Sequence, residues 1–288
     1  MPAVLSARVI RRKIRAVGNI KKITRAMQMV SAAKLKKVQE RLMQVRPYSD
    51  KIRELEERLA AQVRQLNVPL FQPRETVRGI GIVLMMADKG LCGSYNSNMA
   101  RYTARFLEER KLPVKAVAFG RKAADLLRRM GHEPLAAHVQ LPTELPFARI
   151  KVMTGQLADL FVTGQVDEVH LLFTRYVNAL TFRPGHVKFL PIEPPAAAQK
   201  GPALEYEFEP EPASILERLI PRYLEVTFHR LLLESFCSEH AARMNAMRNA
   251  TDNATELIDS LTLMFNKARQ AGITKELLDI VGGAEALR

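Results

Sequence analysis

Two long stretches at the ends of this chain are almost free of glycine and proline, and nothing else limits its fold as strongly. They cover roughly the first 65 residues and the last 75. In the first, apolar residues recur at spacings of three and four: Ile10, Ile14 and Val17, then Leu35, Val38, Leu42 and Val45, then Ile52, Leu55, Leu59 and Val63. In the last, Met247, Ala250, Ala254, Leu257, Leu261, Met264 and Ala268 alternate in the same way, and Ile273, Leu277 and Ile280 continue the apolar character. A helix with such a stripe is marginal alone in water, so the two ends are expected to pair with each other. Small residues in the second stripe would let the partner approach closely. Sixty helical residues would reach roughly 90 Å. The expected shape is a long rod with a globular body at one end, which suits a mechanical or connecting part better than an enzyme. Gly18, Pro47 and Pro221 mark candidate bends, Gly282-Gly283 loosens the last turn, and Asn67-Val68-Pro69 reads as a helix stop.

The middle of the chain changes period. Gly79 to Ala87 is apolar without alternation, as in a strand buried on both faces. Asp88-Lys89-Gly90 then turns the chain, and Ser94 to Glu109 reads as a helix. Val114 to Phe119 is a second strand, Arg121 to Met130 and Phe147 to Val162 are helices, and Val169 to Thr174 is a third strand. Residues 181–193 add an edge strand. Strands alternating with amphipathic helices predict a mostly parallel sheet covered by helices. Between Pro191 and Pro212 six prolines and little periodicity read as a return linker with one extended piece, Leu204 to Phe208. The division is therefore a helix over 1–68, an α/β domain over 75–193, a linker over 194–212 and a second long helix over 213–288.

The formal net charge of +14 is concentrated: between Arg8 and Arg46 there are thirteen Lys or Arg and one acidic residue, Glu40. A field of this kind needs an anionic partner, whether nucleic acid, a lipid surface or an acidic protein. Arg11-Arg12-Lys13, Lys21-Lys22, Arg25, Lys34, Lys36 and Lys37 spread over more than one helical face, which a channel of acidic partner side chains explains better than a solvated coat. Nucleic acid would bring an aromatic stacking platform or a reading helix, and neither accompanies these residues. No stretch approaches about eighteen uninterrupted apolar residues, so no membrane-spanning helix is expected. The N-terminus has no apolar signal core, which argues against export. Cys92 and Cys237 form no metal motif or disulfide framework, so a reducing, intracellular compartment is the default.

Catalysis has no home in this pattern. Gly79-Ile80-Gly81 lies inside a strand and lacks the third glycine of a dinucleotide fingerprint. Gly90-Leu91-Cys92-Gly93-Ser94 stands at a strand end but lacks the spacing that wraps phosphates, and reads as a structural turn. The six histidines show no paired ligand spacing, and Glu239-His240 beside Arg243 reads as a polar helix face. Cys92 near Lys89 reads as a buried small residue rather than an activated thiol.

Ile20-Lys21-Lys22-Ile23-Thr24-Arg25-Ala26-Met27-Gln28-Met29-Val30-Ser31-Ala32-Ala33-Lys34-Leu35 closely resembles the N-terminal signature of the gamma subunits of bacterial-type F-type ATP synthases. Glu239 to Ala254 resembles their C-terminal signature, and Phe265 to Leu277 continues it. The turn Asp88-Lys89-Gly90-Leu91-Cys92-Gly93, with Asn96 after it, also fits. The similarity runs from end to end; Met1 to Ser6 fit less closely and are expected to fray. No cysteine-bearing insertion of the chloroplast regulatory type is present, so thiol switching is not expected.

This resemblance implies an α/β protein with a long antiparallel coiled coil of N- and C-terminal helices and a central Rossmann-like domain. It implies a non-catalytic rotor, one copy per complex, that couples rotation of a membrane c-ring to ATP synthesis or hydrolysis in a hexamer of alpha and beta subunits. Expected partners are those subunits, the epsilon subunit and the c-ring, and no nucleic acid. Cofactors are expected on the partners alone, with ATP, ADP and Mg²⁺ held by alpha and beta. Residues implied to face the hexamer are Lys21, Lys22, Arg25, Met27, Lys34, Arg243, Met247, Asn253, Gln270, Ile273, Leu277 and Leu287, and Asp88, Lys89, Gly90 and Gly93 form the central-domain turn. The expected location is peripheral, on the cytoplasmic face of the bacterial inner membrane. Two rivals make different predictions. A basic coiled-coil scaffold or nucleic-acid-binding protein would bind generic DNA or RNA, and a nucleotide-using α/β enzyme would hold ligand in its body.

Overall fold

A computed structural model describes residues 6–63, 69–193 and 212–285. The order of elements is α1 (Ala7–Val63), a 3₁₀ turn (Pro69–Phe71), β1 (Ile80–Met85), α2 (Tyr95–Arg110), β2 (Val114–Phe119), α3 (Arg121–Arg129), β3 (Ala136–His138), α4 (Phe147–Val162), β4 (Glu168–Tyr176), β5 (Phe182–Leu190) and α5 (Pro212–Glu285). Helix α1 continues through Gly18 and Pro47, and α5 through Pro221. Pro212 opens α5 at the position where a missing N–H costs least. Asn67, Val68, the extended piece at 204–208 and Leu287 lie outside the described residues. The chain forms two compact units, Met1–Ser31 with Met244–Arg288, and Ala32–Arg243.

In the second unit the strand order is β3-β2-β1-β4-β5. β1, β2, β3 and β4 run parallel, and β5 is antiparallel to β4 at the edge. All six residues of β1 are buried because helices cover both faces. On one face Ile80, Ile82 and Leu84 pack with Met99 and Phe106 of α2 and with Ala123, Ala124 and Leu127 of α3. On the other, Val83 and Met85 pack with Ile150, Met153, Leu157 and Phe161 of α4 and with Leu224, Phe228 and Leu231 of α5. The edge strand is held at its base by Glu168, whose carboxylate accepts from Lys188, Arg110 and His170. β3 has no counterpart in the sequence reading: Ala-Ala-His is too short to show a period.

Within the first unit α1 and α5 form an antiparallel coiled coil, with Thr24 of α1 opposite Thr251 of α5. On α5 the inward residues are Met247, Thr251, Ala254, Leu261 and, half-buried, Ile258, Phe265 and Ala268. This stripe differs from the one read by hydropathy. Ala250 gives way to Thr251, while Leu257 and Met264 face outward, 48% and 51% exposed. The reason is chemical: Thr251 donates its hydroxyl hydrogen to the Met247 carbonyl at 2.8 Å and thereafter behaves as a small seam residue. On α1, Lys21, Thr24, Gln28 and Ser31 fill the same seven-residue register between Val17 and Leu35, with Thr24 and Ser31 buried.

Candidate functional site

Two surfaces gather the residues singled out in the sequence, one in each unit. In the first unit the seam at Thr24 and Thr251 is polar and narrow. The hydroxyls lie 2.8 Å apart. Each hydroxyl also lies within donating distance of a carbonyl of its own helix, Thr24 of Lys21 at 3.1 Å and Thr251 of Met247 at 2.8 Å, and either can be the donor across the seam. A cycle of Thr24→Val, Thr251→Val and the double variant is expected to give a coupling energy of about 1 kcal/mol in urea unfolding. Additive single effects would show that the contact is not energetically shared.

Beside this seam lies an open groove of about 390 Å³ lined by Lys21, Arg25, Gln28, Arg248, Asp252 and Thr255, among others. Lys22, Arg25 and Asn253 are exposed, Lys21 and Met27 are half-buried, and Met247 turns into the seam. Counting outward from Thr24 opposite Thr251, Ala7 falls opposite Ala268. Beyond that point α5 has no described residue of α1 to pair with. Gln270 is exposed there, and Ile273, Leu277, Leu278, Ile280 and Val281 are between 51% and 69% exposed. A helix end bare of partners and rich in aliphatic side chains is a contact surface awaiting a cover.

In the second unit the sequence motifs Asp88–Gly93 and Glu239–Arg243 come together. Asp88, at the C-terminal end of β1, caps the first turn of α3 from a distance. Its Oδ1 accepts from the Arg121 amide at 2.9 Å, and its Oδ2 accepts from the Gln140 amide at 2.9 Å. Residue 120, the cap position of α3, is a glycine with no side chain to do this. Asn96 closes the turn, accepting from the Ala87 amide and donating to the Cys92 sulfur at 3.1 Å. Leu91 and Gly93 hold left-handed backbone, with φ of 60° and 56°. Arg243 fastens the turn to α5: it donates to the Glu239 carboxylate at 2.7 Å and reaches the carbonyls of Lys89 and Gly90 at 3.4 Å each. Tyr95 and Ser235 share a buried hydrogen bond of 2.8 Å nearby.

This arrangement narrows the place where a Rossmann-like sheet usually holds a ligand. The crevice above β1 and β2, where such sheets bind ligands, is filled by Leu232, Ser235, Phe236 and Glu239 of α5. About 20 Å³ remains, room for about one water molecule. Cys92 is buried, and burial pushes its thiol up despite the opposing pull of Arg243.

Burial also sets the charges around Arg243. Desolvation raises the Glu239 carboxyl above the usual range, against the pull of Arg243 and of Lys34, which stands exposed on α1. His240 is lowered to about 4, first by burial and then by Arg243 and Lys34. His170 is lowered to about 4 as well, by burial against the pull of Glu168. Both imidazoles therefore stay neutral in the fold at pH values where the unfolded chain, near 6.5, takes up protons. Stability should be flat above about pH 6.5 and fall as the pH drops toward 4, by on the order of 3 kcal/mol for each histidine. Urea unfolding across this range, with His240→Leu removing part of the slope, checks it; a flat profile would contradict it.

The sequence reading missed Thr24, Thr251, Tyr95, Ser235 and the long-range role of Asp88. The seam threonines could have been found by following the register rather than the hydropathy.

The fold and its surfaces define a class: a coiled-coil shaft protein whose α/β body has surrendered its ligand crevice to its own C-terminal helix. The chain matches the family model described as ATP synthase over residues 6–287. It is 45% identical over 282 residues to the ATP synthase gamma chain of Desulforamulus reducens, covering 98% of this chain and 99% of that one. It is 44% identical over 287 residues to the ATP synthase gamma chain of Heliobacterium modesticaldum, covering 97% and 98%. A chain in the Euglena gracilis mitochondrial ATP synthase structure shares the fold, with a TM-score of 0.67 at 19% identity over 98% of this chain and 94% of that chain. The chain belongs to the ATP synthase gamma-chain family. Among the described residues no helix is long and apolar enough to cross a membrane.

Proposed function

We propose that this chain is the single-copy central-stalk rotor that couples rotation of a membrane c-ring to ATP synthesis and hydrolysis in a hexamer of alpha and beta subunits. The observation that carries this reading, within the gamma-chain family, is the bare end of α5, exposed and aliphatic beyond the start of α1. A smooth apolar end suits a collar past which it must slide, because few directional bonds break on each turn. Ile273 and Leu277 belong to that contact, with Gln270 at its margin.

The coiled coil is asymmetric by construction. Its sides carry Lys21, Lys22 and Arg25 in one place, and Leu257 and Met264 in another. A shaft of this kind meets successive beta subunits with different contact energies and so gives them different nucleotide affinities; a uniform shaft would transmit nothing. Positive side chains against acidic levers of the beta subunits guide the contact over distance without demanding one packing geometry. Lys34 and Arg243 are read as further contacts to the hexamer. The α/β body meets the epsilon subunit and the c-ring, which places the chain peripherally on the cytoplasmic face of the bacterial inner membrane. In this reading it is non-catalytic, and nucleotide and Mg²⁺ are held by alpha and beta.

Purified chain mixed with its alpha and beta subunits is expected to yield a complex of three alpha, three beta and one copy of this chain. Its MgATP hydrolysis should greatly exceed that of any component alone. Failure to associate, under conditions where a known gamma chain does so, would overturn the reading.

A further inference from the structure

We infer that the hairpin joining β4 to β5 is a docking knob for an acidic, apolar-faced segment of another polypeptide, a surface beyond the contacts proposed above. The tip is built to hold its shape. Asn178 accepts from the amides of Leu180 and Thr181 at 2.9 and 2.8 Å, and Val177 and Asn178 donate their amides to the Thr181 carbonyl. This turn projects two aliphatic side chains into solvent, Val177 at 58% exposure and Leu180 at 80%. A rigid loop with no side-chain core of its own loses little entropy when an aliphatic knob is covered.

The charges name the partner. Arg175 and Arg183 are direct cross-strand partners at the base of the tip, so their side chains share one face. Both are exposed, and among the described residues neither forms an ion pair. Like charges placed opposite each other destabilise a strand pair unless an anion lies between them. On the opposite face Phe182 packs on the buried cluster of Ala87, Cys92, Tyr95 and Ala242, which anchors the base of the hairpin. Aliphatic knobs beside unpaired arginines fit a protein surface that sets carboxylates around an apolar socket.

The test places a photocrosslinking benzoylphenylalanine at Leu180 of the full chain, in cells that express its whole assembly, and identifies the adduct by mass spectrometry. Val152 on α4, 61% exposed, serves as the control position. The expected adduct is one protein segment with several carboxylates among aliphatic residues. Arg175→Glu combined with Arg183→Glu should cut its yield by about tenfold or more. Both arginines are exposed, so the double variant should fold, as circular dichroism would verify. A lipid adduct, a segment without carboxylates, a yield unmoved by charge reversal, or no adduct above the Val152 control would each overturn the inference. The crosslink is read whichever subunits co-purify, so its failure is distinct from a failure to assemble with alpha and beta.

Discussion

Gly120→Ala is expected to unfold the α/β body or leave it destabilised by about 4 kcal/mol or more. Gly120 joins β2 to α3 with φ of 92° and ψ of 145°, a conformation that only glycine adopts without strain. A Cβ there would stand 2.0 Å from the Met86 carbonyl oxygen and 2.8 Å from its carbon. These are backbone atoms at the end of β1, the central strand, and they cannot swing aside. The same carbonyl end of β1 carries Asp88, whose carboxylate holds the Arg121 and Gln140 amides, so any retreat breaks both bonds. Cys92 and Cys237 are buried in this unit and give a direct readout. Their thiols should resist modification in the parent chain and react freely in the variant at the same low urea concentration. Equal protection in both would show that the backbone tolerates the methyl group.

Arg243→Met should cost about 3–5 kcal/mol, because it leaves a buried carboxylate without its cation. The side chains of Arg243 and Glu239 are 11% and 14% exposed, so water compensates little. The loss also releases the carbonyls of Lys89 and Gly90 from α5. The pH dependence identifies the mechanism. With Arg243 gone the Glu239 carboxyl rises further above its unfolded value of 4.5. A raised carboxyl is fully tolerated below the unfolded value and becomes costly as the pH climbs through the folded one. The deficit of the variant should therefore be small near pH 4.5 and grow toward neutrality. Glu239→Gln in the same background should restore much of the loss at neutral pH. A deficit independent of pH and untouched by Glu239→Gln would assign the effect to lost packing.

The parts of this structure legible in the sequence are those where one physical pattern dominates. The unbroken apolar run of β1 meant that both faces are covered, and they are, by α2 and α3 on one side and α4 and α5 on the other. The edge strand β5 showed itself through alternating His186, Val187, Lys188 and Phe189, since one face meets the polar edge of α2 and the other the apolar core. The rise of the coiled coil was legible in its length and spacing, but its seam was not. Hydropathy selects Leu257 and Met264, which face outward, and passes over Thr24, Ser31 and Thr251, whose hydroxyls find partners in their own helices or across the seam. Contacts between distant segments left no local mark. Nothing in Asp88-Lys89-Gly90 reveals that its carboxylate binds amides 33 and 52 residues away. Nothing around Arg243 reveals that it grips two carbonyls more than 150 residues upstream. The motifs pointed to both places without saying that they are one place.

The central claim, that this chain turns inside a hexamer, is tested most directly by watching it. Both native cysteines are buried, so Arg129→Cys on the exposed face of α3 offers a single labelling site for a bead. The hexamer of alpha and beta subunits, assembled around the labelled chain, is fixed to a surface and supplied with MgATP. The account predicts unidirectional rotation of the bead with threefold pauses that lengthen as ATP becomes scarce. Sustained hydrolysis by the same complexes, with the bead only fluctuating about a fixed angle, would contradict it.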